Sequence, residues 1–422
     1  MLSTLKINKC LLKTGTYLRN LHSRLNDFDI EYFCNSQNLK EIEENINRRK
    51  GIGDINLVYK LYNKYISSTS EEIKSELESK LISELWKLPN RTHPLVLERN
   101  ESKLMKYIGE KKTFLHKPLH CQEIVKRLNL VRSDQLGNFS GSKSYYVLGE
   151  FANLDRALVQ YAVRGLLDNN FDLISVPDII PRSLVENCGL ITAGTRNQIF
   201  FLNSNLHQGD MCLSGTAEMA LAGMYQNHIF EKKELPIKLA AVSRCYRAET
   251  SNLAEERGLY RVHEFTKVEM FLIVTPEQSD TYLEYVRDIQ EKIFTPLDLH
   301  MQILDMPPHE LGAPAYRKYD IEAWLPGRGI YGEISSCSNC TDYQSRRLGI
   351  KYREENGEVK FVHTLNGTAA AIPRLLIALT ETGQTEKGVI QIPKVLQKYM
   401  LGQESIKKQS RIPQLKLMKN KK

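Results

Sequence analysis

The sequence lacks a hydrophobic run long enough to span a membrane, and it has few cysteines. No apolar stretch in its 422 residues approaches the ~18 residues that a transmembrane helix needs, so we expect no integral membrane protein. Eight cysteines scattered along the chain are too few for a disulfide scaffold and favour a reducing compartment. With 41% hydrophobic and 26% charged residues, the composition is that of a globular protein, and the length predicts two or three domains.

Common motifs for phosphate, dinucleotides and zinc are also missing or incomplete. The sequence contains no G-x-x-x-x-G-K-[ST] segment, so we expect no P-loop. Gly327, Gly329 and Gly332 fit G-x-G-x-x-G, but a proline precedes them and no helical periodicity follows, which argues against a dinucleotide site. Cys337 and Cys340 form a lone C-x-x-C without a second pair at metal spacing. We interpret them as small buried cysteines and expect no zinc.

The positive charge of the chain is concentrated at its two ends. The net charge is +8, of which residues 1–26 carry +5 and residues 401–422 carry +6, which leaves −3 for residues 27–400. Such a basic excess suggests a nucleic-acid partner. Residues 1–26 are also rich in Ser and Thr and contain no acid. This composition predicts a mitochondrial transit peptide, with an ordinary solvated basic segment as the alternative.

Residues 54–88 have the pattern of two amphipathic helices joined by a short polar turn. Asp54 is placed to cap the first helix, and Thr69 with Glu72 resembles a capping box for the second. The second helix has one apolar stripe, formed by Ile73, Leu77, Leu81, Leu85 and Leu88. We predict an antiparallel helical hairpin that protrudes as a small arm, or alternatively packs on the main domain.

From about Lys117 onward, strand-like and helical segments do not alternate regularly, which favours an α+β domain around an antiparallel sheet. The predicted strands are Phe171–Val176, Ile237–Cys245, Tyr260–Val274 and Tyr319–Trp324, and a helix is predicted at Ala369–Thr380.

Polar residues are unusually dense in four otherwise apolar segments. These are SGTAEMALAGMY (214–225), RCYRAETSNLAEERGLYRVHEFTKVEMF (244–271), YGEISSCSNCTDYQSRR (331–347) and NGTAAAIPRLLIALTE (366–381). In the second segment, strand alternation predicts a shared face for Arg261, His263, Phe265, Lys267 and Glu269. A face that combines an aromatic ring, a carboxylate and cations indicates a binding site.

These strings resemble the seryl-tRNA synthetases, and specifically the animal mitochondrial type of this class II family, over about residues 93–400. The second segment resembles motif 2, and the fourth resembles motif 3, a helix that carries Arg374. The helix before Phe171 and the strand that ends at Pro177 resemble motif 1, which builds the dimer interface. The resemblance implies an antiparallel-sheet class II catalytic domain with a shortened N-terminal helical hairpin arm.

The resemblance also implies a domain order and a reaction. We expect a transit peptide at 1–26, a helical region with a short tRNA-binding arm at 27–92, the catalytic domain at 93–400 and a basic tail at 401–422. The implied enzyme activates L-serine with ATP and Mg²⁺ and transfers the seryl group to mitochondrial tRNA(Ser), with tRNA(Sec) as a further candidate acceptor. It would be a homodimer of the mitochondrial matrix without a membrane partner.

The family's functional residues can be carried over position by position. Arg247 would bind the α-phosphate, Arg374 the γ-phosphate and one adenine face, and Phe265 the other face. The implied catalytic residues are Arg247, Glu269, Glu333 and Arg374. The implied ATP-binding residues are Arg247, Ala248, Glu249, Val262, Phe265, Glu333, Ile334, Ser335, Ser336 and Arg374, with Glu333 and Ser336 as Mg²⁺ ligands. The implied serine-binding residues are Thr216, Ala217, Glu218, Glu269 and Thr368.

The alternative is a catalytically inactive synthetase paralogue that binds RNA or protein in mitochondria. Such a protein would be expected to have lost some catalytic residues, whereas this sequence retains Arg247, Glu269, Glu333 and Arg374.

Overall fold

The computed structural model describes residues 25–133, 141, 143–190, 192, 197–206, 209–249 and 258–414. The chain divides into two units, Met1–Arg91 and Thr92–Lys422. Most of the predicted transit peptide and the last eight residues of the basic tail lie outside the described residues, so these two assignments stay predictions.

The described part of the first unit is helical. After a 3₁₀ turn at Leu25–Asp27, its helices are α1 (Ile30–Phe33), α2 (Leu39–Arg48), α3 (Ile55–Ser67) and α4 (Glu71–Leu85). Helices α3 and α4 pack against each other across a three-residue turn, as the sequence predicts. That this hairpin binds tRNA stays a prediction.

Of the two predicted N-terminal helix caps in this hairpin, the structure contains only the one at α3. Asp54 caps α3, because its Oδ1 accepts a hydrogen bond from the Leu57 backbone N–H at 2.9 Å. The predicted capping box at Thr69 is wrong, because the residue that precedes α4 is Ser70 and its side chain makes no capping hydrogen bond. The apolar stripe is buried at Leu81 and Leu85, whereas Ile73, next to the turn, is 54% exposed.

The second unit combines short and long strands with eight α-helices among its described residues. The strands are β1 (Lys103–Ile108), β2 (Val131–Arg132), β3 (Tyr146–Val147), β4 (Asp172–Ile174), β5 (Ile179–Pro181), β6 (Met211–Leu213), β7 (Ile229–Glu231), β8 (Ile237–Tyr246), β9 (Glu264–Val274), β10 (Met301–Asp305), β11 (Arg317–Leu325), β12 (Ile330–Thr341), β13 (Lys351–Arg353), β14 (Val359–Phe361), β15 (His363–Ala371), β16 (Ile390–Gln391) and β17 (Ser405–Ile406). The helices are α5 (Cys121–Arg127), α6 (Glu150–Leu167), α7 (Arg182–Asn187), α8 (Ala217–Gly223), α9 (Ser279–Phe294), α10 (Tyr343–Leu348), α11 (Ile372–Gly383) and α12 (Lys394–Gln397).

The largest sheet has eight strands in the order β1-β10-β11-β12-β15-β9-β8-β4. Neighbouring strands are antiparallel except for β4, which runs parallel to β8. The prediction of an α+β domain around an antiparallel sheet is therefore confirmed. No described helix has both the length and the apolar character needed to cross a bilayer.

The central strand β9 divides its side chains between the two faces of the sheet. Val268, Met270 and Leu272 belong to the apolar core that also contains residues of α6, α9 and α11. The alternate residues Phe271 and Ile273 belong to a second core with α7 and α8. The polar residues that precede Phe271 on this second face therefore lie beside a core but are not part of it.

Two predicted boundaries are wrong for local reasons. The strand predicted to start at Tyr260 starts at Glu264, because Gly258–Tyr260 forms a 3₁₀ turn. The helix predicted from Ala369 starts at Ile372, because the backbone up to Ala371 continues β15 and pairs with β9. Pro373 lies in the first turn of the helix, where its missing N–H costs no helical hydrogen bond.

Candidate active site

A cluster of polar side chains, called the pocket below, lies where β9, β15 and the start of α8 meet. Alternation along β9 directs Phe265, Lys267 and Glu269 to one face. Lys267 and Glu269 are 6% and 2% exposed and form an ion pair. The Lys267 Nζ donates to Thr216 Oγ1 at 2.7 Å, and the Thr368 hydroxyl donates to Glu269 Oε2 at 3.5 Å. Three predicted serine-binding residues, from three separate segments, therefore lie within one connected network.

The charge of Glu269 is set by opposing effects. Burial is the largest effect and raises the pKa of its carboxyl. The net result of all effects is a pKa of about 7. The neighbouring Lys267 lowers this pKa by its charge and its hydrogen bond, Glu218 raises it, and Arg247 lowers it. The carboxyl of Glu269 therefore titrates near neutral pH.

Glu218 supplies a second, partly buried carboxylate to the pocket. Its Oε1 accepts hydrogen bonds from the Gln344 amide at 2.6 Å and the Asn366 amide at 2.9 Å. Burial raises the pKa of Glu218, while these two amides and Lys267 lower it. The neighbouring Ala217 is buried, so only its backbone can serve a ligand. Two carboxylates with fixed orientation suit a small cationic group such as an ammonium.

Arg247 directly follows β8 and lies beside this pocket. Its backbone N–H donates to the His263 carbonyl at 2.8 Å, which links the end of β8 to the segment that leads into β9. Its Nε donates to the Gly215 carbonyl at 3.4 Å, and its guanidinium lies 5.2 Å from the centroid of the Phe265 ring. The predicted α-phosphate ligand and the predicted adenine partner are thus neighbours.

Glu249 is held on the same side of the loop. Its carboxylate is buried, and its Oε2 lies 3.4 Å from both the Arg261 guanidinium and the Gln198 amide. The backbone N–H of Ala248 donates to the Gln198 carbonyl at 2.8 Å. Val262 is also buried. These contacts fix the position of Ala248 and Glu249 after β8. The family resemblance implies that the adenine amine binds there.

Two predicted nucleotide-binding residues on β12 direct their side chains into the core. Ile334 is part of the main apolar core. The Ser335 hydroxyl donates to the Thr368 carbonyl at 2.5 Å and accepts from the Gln290 amide at 2.8 Å. Any contact of Ile334 or Ser335 with a nucleotide must therefore involve the backbone.

A bulge in β12 explains how the two predicted Mg²⁺ ligands share a face. The pairing of β12 with Ile321 and Glu322 of β11 skips Ile334 as an extra residue. Strict alternation would place Glu333 and Ser336 on opposite faces, whereas the extra residue brings both to the same partly exposed face. Carboxylate and hydroxyl oxygens are hard ligands that fit Mg²⁺. Within the described residues, no group of three or more His, Cys, Asp or Glu side chains is arranged to hold a metal by itself.

Arg374, in the first turn of α11, joins the helix to the sheet. Its Nη1 donates to the Glu333 carbonyl at 2.7 Å and its Nε to the Tyr260 carbonyl at 3.0 Å. Its guanidinium also lies 3.8 Å from the centroid of the Tyr260 ring. Arg374 therefore contacts the backbone of Glu333, and the assignment of both residues to a phosphate site stays a prediction.

The structure adds four residues to which the sequence assigns no role. Lys267 contacts two predicted serine ligands, Gln344 and Asn366 fix Glu218, and Tyr260 contacts Arg374. Strand alternation in β9 places Lys267 on the same face as Glu269, so the position of Lys267 in the site could be predicted from the sequence. The other three are close to their partners only through the tertiary fold.

Comparison with known proteins gives a consistent result. Residues 201–383 match the family described as the tRNA synthetase class II core domain (G, H, P, S and T). The mitochondrial serine–tRNA ligase of Mus musculus is 43% identical over 344 residues, which are 81% of this chain and 66% of the mouse protein. The chain thus spans just under two thirds of that relative. The serine–tRNA ligase of Dictyoglomus turgidum is 37% identical over 94% of this chain and 96% of its own length.

Solved structures have the same fold. The seryl-tRNA synthetase of Pyrococcus horikoshii, complexed with ATP, has a TM-score of 0.76 and 31% identity over 95% of this chain and 93% of its own. The cytoplasmic serine–tRNA ligase of Naegleria fowleri, in complex with AMP, has a TM-score of 0.80 and 25% identity over 90% and 98%.

Proposed function

Because the chain belongs to the seryl-tRNA synthetase family, we propose that it activates L-serine with ATP and transfers the seryl group to tRNA(Ser). The observation that carries this proposal is the network of Thr216, Glu269 and Thr368 beside Arg247. A buried anionic pocket next to an arginine suits an amino acid whose carboxylate must meet a phosphate.

Serine recognition follows from the groups in the pocket. The substrate ammonium is placed between the carboxylates of Glu218 and Glu269, and its hydroxyl has Thr368 and Glu269 as hydrogen-bond partners. Alanine would leave these buried polar groups without a partner. A site built to hydrogen-bond a substrate hydroxyl rejects the analogue that lacks it by about 10⁴-fold or more.

Adenylate formation then requires charge stabilisation at the α-phosphate. A carboxylate oxygen of serine attacks the α-phosphorus, the bond to the bridging oxygen breaks, and pyrophosphate leaves. Arg247 stabilises the charge that develops on the α-phosphate oxygens. Arg374 holds the γ-phosphate, while Phe265 and Glu249 hold the adenine. Glu333 and Ser336 would bind Mg²⁺, which neutralises phosphate charge when present.

The second step transfers the seryl group to RNA. A hydroxyl of the terminal tRNA ribose attacks the seryl carbonyl carbon and gives up its proton, and AMP leaves with the electron pair of the broken carbon–oxygen bond. We propose mitochondrial tRNA(Ser) as the acceptor, tRNA(Sec) as a further candidate, and the mitochondrial matrix as the location. The basic, acid-free residues 1–26 and the similarity to mitochondrial relatives support this assignment.

We further propose that the chain works as a homodimer through the motif 1 elements α6 and β4. The pairing of β4 with β8 places these elements beside the strand that leads to Arg247, so a dimer contact would support the site.

Amino-acid-dependent ATP–pyrophosphate exchange tests the first step. We expect exchange with L-serine, and none above background with alanine or threonine at equal concentration. No exchange with any amino acid, in a folded protein that binds ATP, would contradict the proposal and favour an inactive paralogue.

A further inference from the structure

Lys267 lies between two of the proposed serine-binding residues, Thr216 and Glu269, but is not itself one of them. Lys267 is 6% exposed as a residue, and its Nζ lies 2.7 Å from Thr216 Oγ1. The same ammonium forms an ion pair with Glu269 Oε2. Both partners are residues that the proposed function assigns to serine, so the inference below rests on that function.

The contacts of Glu269 are arranged on one side of its carboxylate. Lys267 and the Thr368 hydroxyl both approach Oε2. Oε1 is therefore the oxygen that a substrate ammonium can engage without displacing either contact. The lysine thus does not compete with the substrate but fixes the orientation of the group that receives it.

The charges around Glu269 balance only when Lys267 is present. The groups that act on it are the carboxylate of Glu218 and the cations of Lys267 and Arg247. Cys245 faces the same groups, but burial raises the pKa of its thiol, which keeps it neutral. With both carboxylates ionised, the pocket is neutral and can accept zwitterionic serine without a net charge. Without Lys267, the carboxylates of Glu218 and Glu269 would share Arg247 as their cation, which favours protonation of one of them.

We propose that Lys267 is a positioning residue of the serine pocket, which keeps Glu269 ionised and oriented toward the substrate ammonium. It acts through Glu269 and Thr216 and takes no part in the chemical step. If the ion pair between Lys267 and Glu269 were purely structural, a different result would be expected. Its loss would lower stability and overall activity but would leave the pH dependence of serine binding unchanged.

The test compares Lys267→Met and Lys267→Arg with the wild type. Lys238→Met is the matched control, because Lys238 is a partly buried lysine of β8 whose Nζ donates to the Asn169 carbonyl at 2.9 Å, away from this pocket. Serine binding is measured by calorimetry, and KM and kcat for serine are measured by pyrophosphate exchange between pH 6 and pH 9. Circular dichroism and ATP binding report on folding. Lys267→Gln replaces the Met variant if that protein does not fold.

We expect the neutral variants to raise the Kd and KM for serine by about 30-fold or more at pH 7, because a charged hydrogen-bonding partner is lost. In these variants, the loss of serine affinity at low pH should begin at a higher pH than in the wild type, because Glu269 without Lys267 ionises less readily. ATP binding and the Lys238→Met control should stay as in the wild type, and Lys267→Arg should restore most of the affinity and the original pH profile.

An unchanged serine Kd and pH profile in a folded neutral variant would overturn the inference. So would a fall in kcat alone that Lys267→Arg does not rescue. A wild type that binds serine without exchange would contradict the proposed function but leave the binding comparison decisive for Lys267. A wild type that binds no serine would overturn both.

Discussion

Glu269 is a buried carboxylate whose ionisation falls within the range of ordinary assay pH. Burial raises its pKa to about 7 despite Lys267. A raised carboxyl pKa means that the charged form, which attracts the substrate ammonium, is lost as pH falls through that value. We therefore expect the KM for serine to rise below about pH 7, by up to about tenfold per pH unit. A profile that is flat between pH 5.5 and pH 8 would contradict this.

Glu269→Gln separates charge from shape at the same position. The amide keeps the size of the side chain but cannot bind an ammonium as an anion does. We expect the KM for serine to rise by about 100-fold, corresponding to about 2.7 kcal/mol, with ATP binding unchanged. Exchange measured at pH 8, where wild-type Glu269 is ionised, gives the cleanest comparison. A wild-type KM in the folded variant would remove Glu269 from its assigned role.

Arg247→Ala should reduce pyrophosphate exchange by at least about 100-fold, because the charge that develops at the α-phosphate then lacks its donor. The matched control is Arg244→Ala, three residues earlier on β8, whose guanidinium contacts Thr266 and Glu264 and not the pocket. The control should retain exchange. Thermal melts should show both variants folded. Equal losses in both variants would mean that the effect is structural.

At the level of single residues, the sequence predicts the groups that lie within continuous motifs. Thr216, Glu269 and Thr368 were predicted from the family resemblance, and they do converge. Gln344 and Asn366 could not be assigned to Glu218 in the same way, since they lie on α10 and β15 and meet Glu218 only in the folded domain.

Elements were predicted well where hydrophobic periodicity is uninterrupted, and poorly where a local turn competes with it. The residue pattern before Val274 predicts one strand that starts at Tyr260. The 3₁₀ turn at Gly258–Tyr260 occupies the start of this segment, and the strand begins at Glu264. The bulge at Ile334 is also invisible in the sequence, although it decides that Glu333 and Ser336 share a face. The bulge is a feature of the pairing between β12 and β11, which periodicity does not encode.

The C-terminal segment offers a test at the level of an element. Its described part packs on the domain: the Gln409 N–H donates to the Leu128 carbonyl at 2.8 Å, and Asn129 donates to the Ile412 carbonyl at 2.7 Å. A deletion from residue 401 would also remove β17, in which Ile406 is buried. Truncation after Gln414 is therefore the cleaner variant. It removes Lys416, Lys419, Lys421 and Lys422.

We expect this truncation to weaken tRNA binding and to leave serine-dependent pyrophosphate exchange intact. If all four lysines contact phosphates, the slope of log Kd against log salt should fall by up to about three. Filter binding at several salt concentrations measures this. An unchanged affinity and slope would show that these lysines do not bind the RNA.

For the whole molecule, the fold was predicted correctly. The irregular alternation of strands and helices predicts an α+β domain with an antiparallel sheet, and the long motif strings resemble a class II synthetase domain. Assembly was predicted only from the motif 1 resemblance. We expect light scattering to give twice the chain mass of 48.6 kDa. A monomer that is fully active in exchange would contradict the proposed homodimer.

Charging of mitochondrial tRNA(Ser) with radiolabelled serine tests the central claim most directly, since it requires serine binding, activation and transfer in one protein. The predicted result is ATP-dependent formation of seryl-tRNA that is abolished by Arg247→Ala and retained by Arg244→Ala. Absence of charging by a folded wild-type protein that binds both ATP and the tRNA would contradict the account.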